Sequence, residues 1–76
     1  MKKMDIVLKT IQDVREFVNI VVQVEYEVDL AQGRYNIDAK SIMGIFSLDL
    51  LSPIKVIAHS EGATGFFESI EKFIVK

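Results

Sequence analysis

Seventy-six residues hold one domain, taken here as residues 1–76, and leave no room for a second. Half of them are hydrophobic and a quarter charged, which excludes a disordered tail, and no cysteine is present for a disulfide, a thiolate metal site or a Cys nucleophile. The net charge is −2 with acids and bases interspersed, so no basic block exists to bind nucleic acid. The first ten residues carry lysines like a signal peptide but lack an adequate apolar stretch and a small-residue cleavage site. No apolar run reaches bilayer length, and with the missing cysteines this gives a cytoplasmic expectation without membrane contact.

Met4 to Leu8 is short, apolar and bounded by charge, and reads as a first strand. Thr10 is placed to cap a helix, with Asp13 three residues on in a box-like arrangement. Ile11, Val14, Phe17, Val18 and Val21 then follow helical spacing, predicting a helix near residues 11–22. From Val24 the period becomes two. Val24, Tyr26, Val28 and Leu30 alternate with Glu25, Glu27 and Asp29, which predicts a half-buried strand with a solvated acidic face. Ala31 to Arg34 turn the chain and Tyr35 to Asp38 return as a third strand.

Ser41 is a good N-cap for a short helix from Ile42 to Leu48. Ile42, Met43, Ile45, Phe46 and Leu48 are too many large apolar groups for one narrow stripe. Ile45 and Leu48 are assigned to the inward face. Ile42, Met43 and Phe46 are either core or a partner surface beside an exposed serine hydroxyl. Pro53 ends the connection that follows, and Ile54 to Ala58 form a fourth strand. His59 to Gly65 read as a loop, and Phe66, Phe67, Ile70, Phe73 and Ile74 mark a last helix near 65–74. Tyr26, Tyr35 and the five phenylalanines are assigned to the core and not to a ligand box, Phe46 having the partner surface as its other reading. His59, the single histidine, is either a functional group such as a pH-sensitive residue or a polar residue closing a strand; the last reading is taken, since no Ser/Asp partner spacing surrounds it and a lone histidine makes a poor metal site. The order β-α-β-β-α-β-α, with one apolar sheet face, predicts a two-layer sandwich with its helices on one side.

The run Lys40-Ser41-Ile42-Met43-Gly44, followed by Ser47-Leu48, resembles the regulatory-serine segment of HPr, the histidine-containing phosphocarrier of the bacterial sugar phosphotransferase system. The element order is also that of the HPr family. The resemblance implies an α/β (α+β) open-faced sandwich with a four-stranded antiparallel sheet. It implies that Ser41 is a site for a dedicated serine kinase, and that Lys40, Ile42, Met43 and Phe46 dock a partner such as that kinase or a transcription regulator. It also implies a phosphoryl-accepting histidine at the start of the first helix, with an arginine two residues on and a proline after it. Counted back from Ser41, those positions hold Thr10 and Gln12, and residues 9–14 contain no His, Arg or Pro. The resemblance would also suggest His59 as a relocated phosphoryl acceptor, and the strand-closing reading is taken over that one too. The expected protein is therefore a regulatory, catabolite-repression type of HPr-like protein, with no phosphohistidine, no enzymatic activity, no metal and no cofactor. The alternative is a degenerate domain making structural or oligomeric contacts, with Ser41 as a plain cap. An active phosphocarrier is the reading least in keeping with residues 9–14.

Overall fold

The first helix buries its stripe of Val14, Phe17 and Val21 in the core, while Ile11, which shares their spacing, is exposed at the start of that helix. In the computed structural model, which describes residues 2–75, β1 (Lys2–Ile6), β2 (Val28–Gln32), β3 (Tyr35–Asp38) and β4 (Ile54–Ala58) form one sheet in the order β1-β4-β2-β3. All neighbouring pairs are antiparallel. Along β2 and β4 the buried residues alternate. Val28 and Leu30, and Ile54, Val56 and Ala58, point to one face.

Helices α1 (Ile11–Val21), α2 (Ile42–Phe46) and α3 (Thr64–Ser69) cover that face. Val14, Phe17 and Val21 of α1, Ile45 of α2 and Phe66 and Phe67 of α3 join the strand residues in one core. Phe17 meets Phe73 edge-on with ring centres 6.3 Å apart, a geometry that adds to area burial. Lys72, beside Phe73, pairs with Glu16 and ties the C-terminal end to α1. The opposite sheet face carries Lys3, Asp5, Lys55 and Asp29, with a Lys55–Asp5 ion pair at 3.6 Å. This is the expected antiparallel, open-faced α+β sandwich.

The element bounds differ from the sequence reading in four places. β1 starts at Lys2 and ends at Ile6, so Leu8 is buried by packing outside the strand. β2 begins at Val28, although alternation starts at Val24. Val24 and Tyr26 are instead half-buried in the connection from α1, where the Tyr26 ring stands edge-on to Phe66 at 6.4 Å. α2 ends at Phe46, not Leu48. Its last N–H groups, from Ser47 and Leu48, bond three residues back to Gly44 and Ile45 and tighten the final turn. The terminal helix breaks at Ile70 (φ −104°) and resumes as a short 3₁₀ turn over Glu71–Phe73.

Tyr35, expected in the core, is 63% exposed, because it closes the hairpin at the open end of the sheet. Between Gln32 and Tyr35 the turn is made by Gly33 and Arg34, with Gly33 at φ +58°. A two-residue hairpin turn needs a positive φ there, which only glycine adopts without strain.

Candidate functional site

Two places were singled out by sequence: the start of α1 and the start of α2. At the first, Thr10 is the N-cap, with extended backbone (φ −135°, ψ 165°), and its Oγ1 accepts the Asp13 N–H at 3.0 Å. The Asp13 carboxylate reaches back and accepts the Lys9 N–H, also at 3.0 Å. The sequence Thr-Ile-Gln-Asp forces this arrangement, since both side chains lie three residues apart across the first turn. Gln12 points to solvent. The local field is therefore that of a helix N-terminus already complemented by a fixed carboxylate. Residues 9–14 bring neither an imidazole nor a guanidinium to this helix start, and the Asp13 carboxylate opposes an incoming phosphoryl group.

At the second, Ser41 is the N-cap of α2 and its Oγ accepts the Gly44 N–H at 3.1 Å. The Ser41 N–H donates to the Asp38 carbonyl at 3.0 Å, and the Asp38 carboxylate accepts the Lys40 N–H at 2.9 Å. The turn into α2 is thus held by Asp38 on one side and Ser41 on the other. Gly44 fits closely at this spot. A Cβ there would stand 3.1 Å from Ser41 Oγ and 3.2 Å from Ile37 Cδ1. Its absence lets α2 lie close to β3.

Ser41 was expected exposed and is half-buried, because its side chain folds back over the first turn of α2 to meet the Gly44 N–H. Ile42, read as a partner-surface residue, is also half-buried and packs against the core. Its position at the first helical residue turns it toward the sheet. Met43 and Phe46 do stand out, at 78% and 42% exposed. Lys40 is exposed beside them in sequence, while Ile45 and Leu48 are buried, on the inward face assigned to them. The patch is therefore Met43 and Phe46, with Ile42 at its rim.

One feature beyond this patch was not singled out from sequence. The Gln32 side-chain amide clamps the backbone of Asp49, donating to its carbonyl and accepting its N–H, each at 2.8 Å. The Asp49 carboxylate in turn accepts the Leu51 N–H at 3.0 Å and the Ser52 hydroxyl at 2.9 Å. This holds a loop that carries Leu51, 96% exposed. Asp49 three residues before Ser52, ahead of Pro53, is a turn signature that could have marked it. His59 closes β4, and its Nε2 lies 2.7 Å from an Asp29 carboxylate oxygen. The ring thus ties the end of β4 to β2, in keeping with a structural residue.

No protein-family model matches the chain, and no curated protein matches it in sequence. Solved structures do. One similar structure is titled HPr-C-His, from Thermoanaerobacter tengcongensis, with a TM-score of 0.78 over 95% of this chain and 89% of that one, at 22% identity. A phosphocarrier protein HPr from Bacillus anthracis str. Ames superposes with a TM-score of 0.72 over 97% and 94%, also at 22% identity. The chain has the HPr fold. Within it, the two helix starts differ in what they offer. The start of α1, where the family pattern calls for histidine, carries a capped threonine and a carboxylate. The start of α2 carries a serine cap next to bare apolar surface. Among the described residues, no helix of this HPr-like fold is long and apolar enough to cross a membrane.

Proposed function

We propose that this HPr-like chain belongs to the bacterial sugar phosphotransferase system as a cytoplasmic regulatory protein and does not carry phosphohistidine. In this reading a serine kinase modifies Ser41, and the kinase or a transcription regulator docks on Lys40, Ile42, Met43 and Phe46. The observation that carries it is the placement of the Ser41 cap on the same short helix as exposed Met43 and Phe46. Such apolar exposure on a small domain suits a docking surface, and methionine adapts to different partners. A phosphate on Ser41 would add roughly −1.5 to −2 charges next to the α2 backbone donors, with Lys40 alongside and Asp38 weakly opposed. The missing carrier function rests on Thr10 and Asp13, which leave no nucleophile of imidazole character at the start of α1. Incubation with an HPr serine kinase and ATP, followed by intact mass and peptide mapping, tests the reading.

A second reading has its own support. Ser41 Oγ is half-buried and already accepts the Gly44 N–H, as a purely structural cap would. In that case the chain is a structural or oligomerising domain with Ser41 unmodified. Absence of phosphate on Ser41 in the kinase experiment, with the protein folded, favours this one.

A further inference from the structure

The sheet leaves one edge half covered. β1 ends the strand order, with β4 on its inner side. On the outer side the C-terminal segment pairs with its second half. The Val7 N–H donates to the Phe73 carbonyl at 2.8 Å, the Val75 N–H donates to the Asp5 carbonyl at 2.9 Å, and Ile6 stands opposite Ile74. These bonds turn the backbones of Asp5 and Val7 outward. Alternation along the strand then turns the backbone N–H and carbonyl of Lys3 outward as well. Among the described residues, no segment pairs with β1 on that side before Asp5.

A groove of about 300 Å³ adjoins this open stretch, lined by Lys2, Lys3, Met4, Thr64 and Phe67. Met4 and Phe67 give it apolar surface, and Met4 is 42% exposed. The Lys2 ammonium donates to the Thr64 hydroxyl at 3.3 Å, which brings one positive charge to the groove. Lys3 adds a second. Among the described residues neither lysine has a carboxylate partner.

We propose that the Lys2–Met4 edge of β1 takes up a short extended acidic segment of a partner protein, which adds to the sheet as a strand and lays one apolar side chain against Met4 and Phe67. Strand addition supplies affinity through main-chain bonds, and the neighbouring pocket supplies selectivity. The charges choose the occupant. Lysines on an open edge repel a second copy of the same edge, which guards against self-pairing. The same two ammonium groups attract an acidic strand, so one device rejects one partner and admits another. This surface is separate from the Ser41 patch, and the proposal does not depend on the regulatory reading.

The test uses the full 76-residue chain, labelled with ¹⁵N, and an acetylated, amidated peptide of alternating Glu and Leu. Saturable shifts confined to Lys2–Asp5 and Thr64–Phe67, with slowed exchange of the Lys3 N–H, are expected. A Lys2→Glu/Lys3→Glu double variant should lose at least tenfold in affinity. A Lys3→Pro variant removes an outward N–H that no described residue uses, so it should fold and lose binding. A peptide of alternating Lys and Leu should bind at least tenfold more weakly. Shifts elsewhere, no saturation, equal binding of the basic peptide, or full binding by a folded Lys3→Pro variant would each overturn the proposal.

Discussion

Asp13 turns back from the first turn of α1 to accept the backbone N–H of Lys9 at 3.0 Å, while its own N–H is taken by Thr10. One pair of side chains thus caps the start of α1 and fixes a carboxylate beside it. Thr10→Ala should cost about 1 kcal/mol of stability, the usual worth of an N-cap hydroxyl. Thr10→Ser should restore most of it. Urea denaturation followed by circular dichroism reads both; equal stability of all three chains would show that the cap contributes nothing.

The phenylalanines divide into those that hold the fold and those that do not. Phe17 is fully buried, and Phe17→Ala should cost about 3–5 kcal/mol. Phe46 is 42% exposed, and Phe46→Ala should cost no more than about 1.5 kcal/mol while weakening capture of partners from cell extract. A thermal melt beside a pull-down separates the two effects. Severe destabilisation by Phe46→Ala would move that ring from docking surface to core.

Ser41→Asp should fold and melt within about 1 kcal/mol of the parent, because a carboxylate satisfies the same N-cap donors as the hydroxyl. Partners that dock on bare apolar surface should weaken, since burying an unpaired carboxylate is costly. Partners presenting a positioned arginine should strengthen. An unchanged set of captured proteins for both Ser41→Asp and Phe46→Ala would remove the support for a regulatory surface.

Gln32→Ala should release the loop at Asp49. Two hydrogen bonds at 2.8 Å are lost, a cost of about 1–3 kcal/mol. Amide exchange at Asp49 and Leu51 should accelerate well before the sheet opens. Unchanged protection there would mean that Asp49 holds the loop without the clamp.

The sheet and helices were legible from period and punctuation because those signals are local. Thr10, Ser41 and Pro53 marked boundaries through their own chemistry, and the alternation of Ile54, Val56 and Ala58 placed β4 within its observed bounds. What was not legible depends on distant neighbours. Val24 and Tyr26 keep the period of a strand, yet they cover the core from a connection, with Tyr26 against Phe66. The long apolar run to Ile74 hides a break at Ile70, after which the chain turns to pair Ile74 with Ile6. At the site, residue type identified Ser41 as the cap of α2, and its hydroxyl does accept the Gly44 N–H, but residue type did not show that the capping side chain would be half-buried. Nor did sequence foretell the Gln32 clamp, whose partners lie seventeen residues apart.

The most direct measurement sets two phosphoryl donors against each other on the unmodified protein. One sample receives an HPr serine kinase and ATP, the other phosphoenolpyruvate and the general phosphotransferase enzyme, and both are read by intact mass and peptide mapping. The expected result is one acid-stable phosphate on Ser41 in the first sample and none in the second. An acid-labile phosphate on His59 in the second, or an unmodified Ser41 in the first, would contradict the account.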